Sequence, residues 1–270
     1  MRLSPISKLV EMCHANLSNT HREYFSGRGY SAGALESFGI GTFSLGLVVS
    51  ASDCNELISL KIMHASRVGH RSYYSEFSDR IIIPVHDAYG QPVGITGRLI
   101  VEDPNRGKYY NSDYPKASTL FNLHRAKQEI LRAGYAVVVE GNLDVVAMWD
   151  AGIKNVVACT GAFITPKQVR KLLRYTNKIL VATDNDNAGH ASYIKFLKTS
   201  AYYIENGELS PIRIIPPFGL KDPDDFIRKY GSKTCREWVS AGARHLMDVG
   251  GEGNPMGFKG VWNGCEKEKG

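Results

Sequence analysis

From residue 135 onward, short apolar runs alternate with stretches of helical periodicity. Residues 135–139 (Tyr-Ala-Val-Val-Val), 155–158, 178–183 and 211–215 read as strands, separated by helical patterns at 142–151, 166–174, 187–205 and 224–230. Such alternation with short links predicts right-handed crossovers and a mainly parallel sheet covered on both faces. Upstream the texture differs. Short helices are expected at 5–17 and at 31–38, the second opened by Ser31 as N-cap, with a turn at 24–29 between them that carries Arg28. From about 47 to 111 the pattern is strand-like: 57–62, 80–85, a turn at 87–90 and a return strand at 93–99, followed by a helix at 124–133 stopped by Gly134. A last helix is expected at 232–241. The expected organisation is therefore a mixed α+β N-terminal subdomain at 1–125, an α/β subdomain at 126–230, a C-terminal helix at 231–248 and, because residues 249–270 hold seven glycines and little apolar content, a flexible tail there.

At 270 residues with 43% apolar and 22% charged positions the chain is neither a peptide nor a disordered linker. No run approaches the roughly 18 apolar residues of a bilayer helix, and the first residues lack the apolar segment of a secretory signal, so no membrane partner and a cytoplasmic location are expected. The five cysteines, at 13, 54, 159, 235 and 265, form no C-x-x-C pair, so neither a disulfide framework nor a zinc site is expected in this chain. Lys and Arg total 33 against 27 acidic residues, a mild excess that permits a polyanionic partner without demanding one.

The chemistry lies in where the carboxylates fall. Ligands of an open parallel sheet collect beyond the carboxyl ends of its strands, and three of the expected strands run directly into acid. The first ends in Glu140-Gly141-Asn142-Leu143-Asp144, another in Asp184-Asn185-Asp186-Asn187-Ala188-Gly189, and the strand at 211–215 is followed by Lys221-Asp222-Pro223-Asp224-Asp225. Each cluster alone would serve as a helix cap. Three along one edge would repel one another unless a cation neutralised them, and hard oxygen donors suit magnesium, with substrate phosphates completing the octahedron. That outlines a phosphoryl-transfer site. An EF-hand is excluded, because the twelfth position from Asp184 is Lys195 where a bidentate Glu is required.

These three segments together resemble the acidic motifs of a Toprim fold, with the spacing of the DnaG-type primases. Upstream, Arg28-Gly29-Tyr30-Ser31 before Phe38-Gly39-Ile40-Gly41, the run from Asp79-Arg80 to Asp87, Gly97-Arg98, Lys108-Tyr109-Tyr110-Asn111-Ser112, and Lys116 before Leu120-Phe121-Asn122-Leu123 are similar to the basic N-terminal part of that family's RNA-polymerase core. The resemblance covers roughly residues 15–240. It implies a basic mixed α+β subdomain followed by a Toprim-type metal-binding domain, and a DNA primase: template-directed synthesis of short RNA primers on single-stranded DNA by two-metal nucleotidyl transfer from nucleoside triphosphates. Glu140 would be the catalytic acidic residue, and Asp184, Asp186, Asp144, Asp222 and Asp224 the candidates for holding magnesium, with manganese as the alternative. Arg28, Arg80, Arg98, Lys108, Tyr109, Asn111 and Lys116 would face nucleotide and template, cations toward phosphate and Tyr109 toward a base, hairpin packing being the other reading for that ring.

Two departures bear on partners. No zinc-binding module and no helicase-docking domain fit beside the core, so a separate zinc module and a replicative helicase are expected in trans, in a bacterial or phage-infected cell. The usual Asp-Gly-Asp is here Asp184-Asn185-Asp186, and Asn142 stands where an aromatic residue is common. A metal-dependent Toprim nuclease and a non-catalytic nucleic-acid-binding module of replication or recombination remain as alternatives. A topoisomerase does not, for want of room for a strand-cleaving tyrosine domain.

Overall fold

A computed structural model describes residues 3–47, 51–65 and 73–248, so the expected tail at 249–270 lies outside the described residues. The chain forms two compact units that part between Pro115 and Lys116. This falls ahead of the 125/126 division expected from sequence. The reason is that the 3-10 turn at Lys116–Ser118 and the following residues belong to the second sheet: Phe121 bridges to Ala158, and the buried Gln168 amide donates to the carbonyls of Lys116 and Thr119.

The first unit contains helices α1 (Pro5–Ala15), α2 (Asn19–Gly27), α3 (Ala32–Ser37) and α4 (Ala51–Ser59), with strands β1 (Gly41–Thr42), β2 (His64–Ala65), β3 (Tyr73–Tyr74), β4 (Ile81–His86), β5 (Pro92–Arg98) and β6 (Tyr109–Asn111). An antiparallel sheet runs β1-β4-β5-β6, and β2 and β3 form a separate two-stranded ribbon. The β4–β5 hairpin falls where the sequence places it, its turn held by Asp87 Oδ1 accepting from the amides of Tyr89 and Gln91. Two elements differ. The segment expected as a strand at 57–62 belongs mainly to α4, because Cys54, Leu57 and Ile58 repeat at helical spacing and turn toward a core that includes Leu9, Phe77 and Ile95. The segment expected as a turn at 24–29 is largely α2, started by Ser18, whose hydroxyl accepts from the His21 amide, and buried through His21 and Phe25 one turn apart.

The second unit is the expected α/β layer. Helix α5 (Leu123–Ala133) leads into β7 (Ala136–Val139), α6 (Asn142–Asp150), β8 (Val156–Ala158), α7 (Pro166–Leu172), β9 (Lys178–Ala182), α8 (Asn187–Thr199), α9 (Ala201–Glu205), β10 (Ser210–Ile214) and α10 (Pro223–Asp248). The sheet order is β10-β9-β7-β8, every pairing parallel, and β7, β8 and the apolar residues of β9 are buried. The helix expected at 187–205 is interrupted at Ser200, and α10 is broken at Gly231, whose φ of 81° separates the two helices read from the sequence. Among the described residues no helix is long and apolar enough to cross a membrane.

Candidate active site

Because the sheet is parallel, the carboxyl ends of β7, β9 and β10 share one edge, and that edge gathers the three acidic segments. Glu140 follows β7 and Asp184 lies just beyond β9; the Asp184 amide donates to Glu140 Oε1 at 3.4 Å. The Asn185 amide donates to the Lys221 carbonyl at 2.8 Å, tying the Asp-Asn-Asp turn to the loop that leads into α10. Asp186 caps α8 by accepting from the Gly189 amide at 2.8 Å, Asp222 accepts from the Asp225 amide at 2.8 Å, and Asp144 accepts from the Gly141 amide at 3.2 Å. Capping and cation binding are thus compatible at these positions, since each cap uses one carboxylate oxygen and leaves the other.

Electrostatics records the crowding. Burial, then the charges of Glu140 and Asp222, push the Asp184 carboxyl up to about 7. Asp144 is held well above the usual carboxylate range by desolvation and then by Asp222, Asp184 and Asp224. Desolvation also raises Glu140 and Asp222, opposed at Glu140 by the Asp184 amide, Arg213 and Lys221. Asp224 is buried in the first turn of α10. Among the described residues no three His, Cys, Asp or Glu side chains lie close enough to chelate an ion unaided. The donor set fits magnesium nonetheless: hard carboxylates that raise one another's proton affinity, at an edge where a cation takes one or two protein oxygens and the rest from phosphate.

Arg213, on β10, was not singled out from the sequence. Its Nε donates to Thr183 Oγ1 at 2.7 Å, Nη2 to the Asp184 carbonyl at 3.3 Å, and Nη1 pairs with His190 Nδ1 at 3.0 Å. It therefore orients the backbone from which Asp184 and Asp186 project. The available signal was an Arg within an apolar strand, Pro211-Ile212-Arg213-Ile214, one strand away from the acids.

In the first unit the basic residues divide. Arg98, at the end of β5, is buried with its guanidinium 5.2 Å from the Tyr109 ring centre, and its Nη1 donates to the Tyr109 hydroxyl. Tyr109 is 45% exposed, so its ring is a surface feature rather than hairpin filling. Arg28 ends α2, and Arg28, Arg98 and Lys108 line one cavity. Asn111 accepts from the Thr96 hydroxyl within the β5–β6 pair. Arg80 departs from expectation. It is 1% exposed, and its guanidinium is committed to the carbonyls of Glu76, Gly107 and Lys108, so it shapes the segment carrying Lys108. Gly97 permits this: a Cβ there would meet the Arg80 Cδ and Phe77 Cδ1 at 2.7 Å. Lys116 lies in the second unit, where its carbonyl accepts from Gln168.

A parallel sheet whose carboxyl edge collects a Glu, an Asp-x-Asp turn and a third acidic loop defines a Toprim-like domain, and a family model described as Toprim-like matches residues 137–227. A second, described as the N-terminal domain of the DNA primase catalytic core, matches residues 10–127. With both halves in this order, the chain belongs to the family of DnaG-type DNA primases. It is 30% identical over 262 residues to the DNA primase of Enterococcus faecalis, covering 87% of this chain and 40% of that protein. Over 236 residues it is 30% identical to the Haemophilus influenzae DNA primase, covering 83% and 39%. The chain thus spans about two fifths of the length of these relatives. Among solved structures, the E. coli primase catalytic core superposes with a TM-score of 0.77 at 26% identity, covering 89% of this chain and 78% of that one. A DnaG primase catalytic domain bound to ssDNA gives 0.76 at 26%, covering 88% and 79%.

Proposed function

We propose that this chain is the catalytic core of a DNA primase, joining ribonucleoside triphosphates into short primers on a single-stranded DNA template. What carries the reading is the meeting of Glu140 with Asp184 at the sheet edge where the Asp222 loop also arrives. Asp184 and Asp186 project from one turn and are the residues to hold magnesium, with Asp144, Asp222 and Asp224 behind them. Two such ions, when bound, supply charge neutralisation at the attacking and leaving oxygens of an in-line displacement. Glu140, whose carboxyl burial raises above its ordinary value, accepts the proton of the attacking 3′-hydroxyl. In the first unit Arg28, Arg98 and Lys108 bind triphosphate or template phosphates, and the exposed face of Tyr109 stacks on a base. A helicase and a separate zinc-binding module are the partners expected to bring this core to its start sites.

The test is primer synthesis on defined single strands with labelled nucleotides and magnesium. Wild-type protein yields oligoribonucleotides, while Asp184→Ala and Glu140→Gln lower the yield by about 10² or more, the usual scale of losing an electrostatic or acid-base contribution. Template-independent silence of the wild type, with and without an added zinc module, overturns the reading. Cleavage of the labelled template instead of extension points to the nuclease.

A further inference from the structure

The cavity shared by Arg28, Arg98 and Lys108 has a volume of about 480 Å³ and is also lined by the 99–106 segment, Glu102 and Asp103 included. Two guanidiniums turned into one space repel each other, and something must hold them there. That element is Tyr24, a residue of α2 outside every motif read from the sequence. The Arg28 and Arg98 guanidinium carbons each lie 5.5 Å from its ring centre, and Arg98 continues to the Tyr109 ring at 5.2 Å, giving a cation–aromatic ladder Arg28, Tyr24, Arg98, Tyr109. An aromatic face attracts both cations and so lowers the cost of keeping them together in a partly dehydrated pocket. The Tyr24 hydroxyl is buried and makes no hydrogen bond, so it is the ring that engages the two cations.

We infer that Tyr24 is a positioning residue that presents Arg28 and Arg98 together to a polyphosphate. The inference rests on the nucleotide-binding reading of this pocket and adds the group that assembles it.

Calorimetric titration of the full chain with inorganic tripolyphosphate tests it, alongside the KM for nucleotide in primer synthesis. Tyr24→Leu, which removes two cation–π contacts, is expected to weaken tripolyphosphate binding and raise KM about five- to thirtyfold while kcat stays within about twofold. Tyr24→Phe, which keeps the ring, recovers most of that loss. If Tyr24→Leu does not fold, as judged by thermal unfolding, Tyr24→Met supplies the same comparison. Wild-type binding that Arg98→Ala abolishes but the Leu and Met variants leave intact overturns the role of Tyr24 and spares the pocket. Absence of binding by the wild type overturns the polyphosphate reading of the pocket, and the inference with it.

Discussion

Single positions carry the site's geometry, and Gly189 is the sharpest case. It stands in the first turn of α8, where a Cβ would come within 2.3 Å of the Asp184 carbonyl oxygen and 3.0 Å of its carbon. Alanine is the better helix former by up to about 1 kcal/mol, but a backbone clash of that depth cannot be relieved by a rotamer. Gly189→Ala is therefore expected to destabilise the protein by about 1–3 kcal/mol, the usual cost of overpacking, and to displace the Asp-Asn-Asp turn. Urea denaturation would show the first effect, and loss of manganese affinity by calorimetry the second. The sequence offered Ala188-Gly189 as part of a motif without this reason for it. Nor could it separate Arg80 from Arg98, two basic residues in similar hairpin strings: one is spent on three carbonyls and the other lines a cavity, a difference set by pairing register and by the 99–108 loop.

Elements were legible where periodicity was strong and flanks were punctuated. The alternation after residue 135 exposed every strand of the parallel sheet, because strands buried on both faces leave dense apolar runs that polar helix faces interrupt. Helix α2 was hidden by its polar composition, Asn-Thr-His-Arg-Glu-Tyr, and by the Gly-rich string at its end; α4 was hidden because its apolar residues run into Ile62 and Met63 like a strand. Hence Tyr24 was read as part of a turn and given no role. The early division between units has an equally specific cause in α7. Gln168, wholly buried, donates to the carbonyls of Lys116, Thr119 and Cys159 at 3.2, 2.7 and 2.8 Å, while its Oε1 accepts from the Thr165 amide at 2.9 Å in a capping box. Gln168→Ala strands these groups, each costing about 1–3 kcal/mol when left unsatisfied. Some of them will recover partners, so a loss of at least about 2 kcal/mol in chemical denaturation is expected. A variant indistinguishable from wild type would mean that the 116–119 segment is held by other contacts.

For the molecule as a whole, charge is arranged locally, not by net excess. Residues 1–115 hold eleven basic and eleven acidic side chains, so the cationic cavity of the first unit is a matter of placement, as is the acidic edge of the second. That edge has a thermodynamic consequence. Asp184, pushed up to about 7, and Asp144, Glu140 and Asp222, raised as well, all have folded-state pKa values above those of an unfolded chain, near 4. Asp184 therefore contributes stability that is fully present below about pH 4 and lost as pH rises through about 7, because the native state then holds a carboxylate that the unfolded state solvates more cheaply, and the other three act in the same direction. Without divalent cations, the contribution of this edge to the unfolding temperature should fall between pH 5 and 8. Magnesium or manganese at millimolar concentration should restore it at pH 8 and do little at pH 5, where a proton already neutralises Asp184 and competes for the same oxygens. Asp184→Asn removes one of the repelling charges while keeping the shape of the side chain. It should raise the unfolding temperature of the metal-free protein at pH 8 and diminish the response to cation. Thermal scans of both proteins at the two pH values, with EDTA and then with cation, decide the matter: an equal cation response at pH 5 and 8, or one that Asp184→Asn leaves intact, would place the ion elsewhere than at this sheet edge.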